Sequence, residues 1–166
     1  MHMPTSVRPA ITMIGVLLLA TSCAPATGQR MSPATTSDRQ VISPPGLAPL
    51  VAAYSVAIRA GEQVFVSGLT GSRPGTQDIV DGGVGPQTRQ TLENIRTVLT
   101  TAGATMADVS ECTVFLVDMS DYAAMNAVYV EFFRVNPPAR ATLAVTALPR
   151  PAARVEIKCS AILARR

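Results

Sequence analysis

Residues 112–145 read CTVFLVDMSDYAAMNAVYVEFFRVNPPARATLAV, a strand, a helix and a second strand in succession. Cys112 to Val117 is a short apolar run rich in β-branched and aromatic residues, which predicts a strand. Ser120 or Asp121 can cap a helix that carries Tyr122, Met125, Tyr129, Phe132 and Phe133. Asn136-Pro137-Pro138 stops it, because a proline lacks the N–H that a helix needs and restricts the residue before it. Ala141 to Val145 then reads as a strand again.

Working outward, Tyr54–Ile58 and Gln63–Ser67 read as two strands joined by the turn Arg59-Ala60-Gly61-Glu62, a hairpin. Residues 71–86 are rich in Gly and Asp and read as a loop with one short strand near Ile79. Within it, Gly82-Gly83-Val84-Gly85 reads as the approach to a helix that follows Pro86. Leu92, Ile95, Leu99 and Ala102 share one helical stripe, so a helix is expected over Thr88–Ala102 with Gly103 as its stop. Arg154–Leu163 is the closing strand. The order ββ(β)αβαββ predicts an α+β fold, a mixed sheet with both helices on one face. The other face is left bare, and it is apolar enough to be covered by other copies of the chain.

Of the 166 residues 48% are hydrophobic and 15% charged, which fits one domain with its own core. Net charge is +3, only 4% of residues are aromatic and there is no tryptophan. The basic stripe with stacking aromatics that marks a nucleic-acid surface is missing. The single histidine is His2, inside a segment read as a cleaved signal. Catalytic triads, Cys-His dyads and histidine metal sites are therefore excluded from the mature chain. There is no CxxC and no phosphate-binding glycine motif. The chemistry must come from Arg, Glu, Tyr, Ser, Thr and backbone groups.

The N-terminus carries its own signal. The apolar stretch Ala10–Ala20 is shorter than the ~20 residues of a membrane span and has the length of a secretory core. Ala20-Thr21-Ser22-Cys23 resembles a bacterial lipobox, in which the cysteine is lipidated after cleavage; ordinary cleavage after Ala24-Pro25-Ala26 is the alternative. The expected organisation is a signal over 1–22, a flexible Pro/Ser/Thr-rich linker over 23–48 and a folded domain over 49–166. The expected location is the periplasmic side of a bacterial membrane, held by a lipid on Cys23, or else soluble in the periplasm or secreted.

Two charged residues stand out against apolar strands. Arg140 follows Pro137-Pro138, and Glu156 lies within Arg154-Val155-Glu156-Ile157. An arginine presents a planar fork that suits a carboxylate, and a carboxylate among apolar neighbours can move a proton or orient a water. A structural ion pair at a sheet edge is the plainer reading of the same two residues. Cys112 and Cys159 read as buried thiols, with a disulfide open to them in an oxidising compartment.

The segment from Tyr54 to Arg166 resembles the RidA family, also called YjgF/YER057c/UK114. The matching pieces are Tyr54-Ser55-x-Ala57-x-Arg59-Ala60-Gly61, Val64-Phe65-Val66-Ser67-Gly68, Gln87–Ile95 and Thr113–Asp118. They continue with Asn126-x-x-Tyr129-x-x-Phe132-Phe133, Pro138-Ala139-Arg140 and Val155-Glu156-Ile157. The resemblance implies a chorismate mutase-like homotrimer with sites between subunits. It implies hydrolysis of reactive 2-imino or enamino acids to 2-oxo acids and ammonia, with neither metal nor organic cofactor. It puts the carboxylate-binding role on Arg140, the water-positioning role on Glu156, a catalytic role in hydrogen-bonding the pocket on Tyr54, and substrate-binding roles on Ser67, Gly68, Thr142 and Asn126. Three departures stand beside it. Thr142 replaces a common cysteine, Leu69 replaces a common glutamine, and the export signal is an addition to a family that is usually cytosolic. A non-catalytic binder or sensor of small carboxylates would use the same Arg140 pocket. Ribonuclease activity, reported for some members, fits poorly with the weakly basic surface.

Overall fold

The computed structural model describes residues 38–47 and 53–163. The proposed signal, Cys23 and most of the linker lie outside the described residues. Within the stretch expected as linker, Arg39–Ile42 instead forms a strand, β1, antiparallel to β2 (Ala57–Ala60). Four residues are too few to show a period in sequence. What holds them is pairing with β2 and the burial of Ile42 in the core, both set by partners distant along the chain.

The other strands are β3 (Gln63–Thr70), β4 (Val109–Leu116), β5 (Ala139–Ala144) and β6 (Val155–Ile162). The helices are α1 (Val84–Thr101) and α2 (Tyr122–Phe132). One mixed sheet has the order β1-β2-β3-β6-β4-β5, antiparallel throughout except for β4 with β5. The strand expected near Ile79 is a single bridge to Ser72.

Alternation along the strands separates two faces. Val64, Val66, Cys112, Val114, Leu116, Val155, Ile157 and Cys159 are buried and form the core with Leu92, Ile95, Val98 and Leu99 of α1 and Met125 and Tyr129 of α2. The intervening residues look the other way, and Val41, Phe65, Leu143 and Ile162 are each about half exposed. Both helices thus cover one face, as expected.

α1 begins one turn earlier than the sequence suggests and takes in Val84-Gly85-Pro86. A proline is tolerated there because the first-turn N–H groups have no partner inside the helix. Gly103, at φ +83°, ends the helix as expected, with the Ala104 N–H donating to the Leu99 carbonyl. Asp121 does precede α2, but its side chain does not cap it. Its Oδ2 instead accepts from Arg154 Nε at 2.7 Å, tying the start of β6 to the start of the helix. Cys112 and Cys159 are direct cross-strand partners on β4 and β6 and are joined as a disulfide, not left as thiols.

Candidate active site

The sequence-predicted residues fall into two groups, and the sheet explains why. β3 pairs regularly with β6 up to Val66↔Cys159 and resumes at Leu69↔Ile157. One extra residue lies on β3, a bulge at Ser67-Gly68. The bulge brings the β3 backbone against the Glu156 side chain, and a β-carbon on residue 68 would overlap the carboxylate. Ser67 itself is engaged structurally, its hydroxyl donating to the Ser55 carbonyl at 2.7 Å. This fastens the segment carrying Tyr54 to the bulge. Tyr54, Ser67, Gly68 and Glu156 all line one cavity of about 720 Å³.

Glu156 is paired across the sheet with Thr70 on one side and Phe115 on the other. Burial raises its carboxyl above the usual glutamate range, since desolvation disfavours the charged form. It therefore holds its proton to a higher pH than an exposed glutamate would.

Asn94 also lines the cavity and is buried. Its Nδ2 donates to the carbonyls of Thr70 and Ser72, at 3.2 and 2.9 Å. Those bonds pin the end of β3 to α1. Leu69 contributes an apolar wall, with Leu47 and Val56.

Arg140 stands elsewhere. Its parallel partner on β4 is Cys112, so it projects from the helix-covered face. Glu156 alternates with the buried residues of β6 and projects from the other. With two strand spacings between them and three residues of offset along the strands, their Cα atoms are roughly 14 Å apart. No ion pair joins them, so the edge salt bridge read from sequence is not formed. Arg140 is held by three side chains of α2. Nη1 donates to Asn126 Oδ1 at 2.9 Å, and Nη2 donates to the Tyr122 hydroxyl at 3.0 Å. The guanidinium carbon lies 4.6 Å from the centre of the Tyr129 ring, a cation–π contact. Tyr129 is buried, which pushes its phenol pKa up to about 12 and keeps it neutral beneath the cation. Thr142 follows Arg140 on the same face of β5, half-buried.

Asn126, to which the resemblance gives a pocket role, lies beside Arg140 and does not line the cavity of Glu156. In the sequence Tyr122 and Tyr129 stand as residues of the helix, Tyr129 also within the matched family stretch, and neither is singled out for the site. Their spacing from Asn126, at i−4 and i+3, places all three on one side of α2, which is the signal that could have flagged them. Gln77 and Arg150, which also line the cavity, carry no local sequence signal, since long-range packing alone brings them there, and Asn94 is marked only by lying within the matched stretch Gln87–Ile95.

A one-sided mixed sheet, a half-buried carboxylate over a strand bulge and a separately braced arginine define a class of small α+β domain. Residues 46–163 match the family model described as Endoribonuclease L-PSP. The chain is 46% identical over 97 residues to a RutC family protein of Pyrococcus horikoshii, covering 58% of this chain and 77% of that protein. It is 36% identical over 124 residues to the 2-iminobutanoate/2-iminopropanoate deaminase of Rattus norvegicus, covering 75% of this chain and 90% of that enzyme. Among solved structures, E. coli TdcF with bound serine is similar with a TM-score of 0.70 at 30% identity, covering 75% of this chain and 99% of that one. The chain belongs to the RidA family, also known as the L-PSP family.

Proposed function

We propose that the protein hydrolyses reactive 2-imino or enamino acids to 2-oxo acids and ammonia. The active unit is a homotrimer, and each site joins the cavity of one copy to the Arg140 edge of the next. The observation that carries this reading is the division of the predicted site: a carboxylate half in the cavity and a braced arginine half outside it. Each half lacks what the other supplies, and the bare apolar face gives copies a reason to associate. The relatives named as imine deaminases support the reaction, and the serine-bound relative supports a small carboxylate as ligand.

Arg140 of a neighbouring copy would hold the substrate carboxylate, its orientation already fixed by Asn126, Tyr122 and Tyr129. The C=N carbon of a protonated imine is electrophilic, so positioning a water is the main task. Glu156 accepts a proton from that water as its oxygen bonds to C2, and a carbinolamine forms. Glu156 returns the proton to nitrogen, the C–N bond breaks and ammonia leaves; the carbinolamine hydroxyl gives up its proton to the Glu156 carboxylate as the carbonyl forms, and ammonia or solvent carries that proton away. No step requires histidine. Thr142 lies next to Arg140 and would shape the acid-binding edge.

Export is part of the proposal. The Cys112–Cys159 disulfide suits an oxidising compartment, in line with the signal and lipid anchor on Cys23 read from the sequence.

The test is release of ammonia and 2-oxo acid from imines generated in situ by an amino-acid oxidase. Acceleration over the uncatalysed rate supports the enzyme. Binding of small carboxylates without acceleration would leave a binder or sensor on the same fold.

A further inference from the structure

We infer that the outer wall of the Glu156 cavity holds a second anion subsite centred on Arg150, and that the preferred imino acid carries a second carboxylate on its side chain. This rests on the reading of the cavity as the site of imine hydrolysis.

Thr76, Gln77, Pro149 and Arg150 line the cavity together with Glu156 and Ser67-Gly68. Arg150 is the one arginine among the lining residues.

Both segments that carry this wall are built rather than loose. In the 72–79 loop the Arg73 N–H donates to the Asp78 carbonyl at 2.8 Å, and the Gly75 N–H donates to the Gly46 carbonyl at 2.8 Å. The Asp78 N–H donates to the Thr76 hydroxyl at 3.1 Å. On the other side, the Ala153 N–H donates to the Arg150 carbonyl at 2.9 Å, closing a turn. Gln87, buried on α1, clamps that turn at two points. Its Nε2 donates to the Ala152 carbonyl at 3.1 Å, and its Oε1 accepts from the Arg154 N–H at 2.7 Å.

Arg150 Nη1 donates to Gln77 Oε1 at 2.8 Å, which fixes the guanidinium against the cavity mouth. No carboxylate among the described residues pairs with it, a state it shares with Arg140 and unlike Arg73, Arg89, Arg96 and Arg154. Its Nε and Nη2 donors make no hydrogen bond to any described residue. A planar cation oriented by a neutral amide, with donors to spare at a cavity edge, suits a carboxylate. With the C1 carboxylate assigned to Arg140 of the neighbouring copy, the ligand for Arg150 is the distal carboxylate of a dicarboxylic imino acid. A purely structural clasp between the two loops would need only the Gln77 bond.

The experiment compares imines made in situ from glutamate and from 2-aminobutyrate, using the full chain, Arg150→Gln and Arg150→Lys. Wild type should favour the diacid, and Arg150→Gln should lower the diacid-to-monoacid ratio of kcat/KM by about tenfold or more, with Arg150→Lys between them. An unchanged ratio in Arg150→Gln, or a wild-type preference for the monoacid, overturns the subsite. Calorimetry with 2-oxoglutarate and 2-oxobutanoate separates the two claims. If no imine is hydrolysed, an Arg150-dependent preference for 2-oxoglutarate keeps the subsite and removes the hydrolase reading. Absence of that preference removes the subsite.

Discussion

The Glu156 carboxylate occupies the space that a β-carbon on residue 68 would need. The close approach is made by the Ser67-Gly68 bulge, and it sets where the carboxylate can stand. Gly68 is not among the residues with positive φ, so alanine there is not strained by its backbone. The change should act on the carboxylate alone. Gly68→Ala is expected to lower kcat by roughly 10²-fold, as displacement of a positioned group does, with little loss of thermal stability. Retained kcat would show that the position of Glu156 is not critical.

Arg140 depends on three side chains of α2. A lysine cannot reproduce the fork that reaches Asn126 and Tyr122 at once. Arg140→Lys should weaken small-carboxylate binding by about tenfold or more, measured by calorimetry. Tyr122→Phe keeps the ring and removes only the hydroxyl. It should raise KM several-fold while leaving kcat nearly unchanged, a split that a general packing defect would not give.

The strand-helix-strand core of the fold was legible because its periods are local. Leu92, Ile95 and Leu99 mark α1, and the run from Cys112 marks β4. The edge strand β1 was not legible, since Arg39–Ile42 is defined by β2 rather than by itself. Arg140 and Glu156 were legible as charges amid apolar strands. Their projection from opposite faces was not, because it depends on the strand order β6-β4-β5 and on register. The Cys112–Cys159 bond likewise depends on which strands are neighbours, information that spacing along the chain does not carry.

Glu156 gives a pH prediction. Burial raises its folded-state pKa, so the fold binds this proton more tightly than the unfolded chain does. Its contribution to stability is complete below the ordinary glutamate pKa and is lost as pH rises through the raised value. Glu156→Gln should therefore melt at or above the wild-type Tm at neutral pH, with the difference vanishing near the acid limit. The same variant should lower kcat by roughly 10²-fold and abolish the acid limb of the pH–rate profile. A neutral-pH Tm well below wild type would contradict the raised pKa.

The disulfide links residues 47 apart in sequence. Constraint of the unfolded chain by such a link predicts a loss of roughly 2–4 kcal/mol in Cys112→Ser/Cys159→Ser. Denaturant melts should show it, and alkylation of the oxidised wild type under denaturing conditions should leave both sulfurs unmodified. Two labelled cysteines would show that the link is not formed.

The central claim is that two copies complete one site. Arg140→Ala and Glu156→Gln are each expected to retain on the order of a hundredth or less of wild-type activity on 2-imino acids. Mixed, and allowed to exchange subunits through partial denaturation and refolding, they should regain activity well above that of either alone. Interfaces that pair an intact Arg140 edge with an intact Glu156 cavity would account for the recovery. A fully exchanged mixture that stays at the level of the single variants would contradict the shared site.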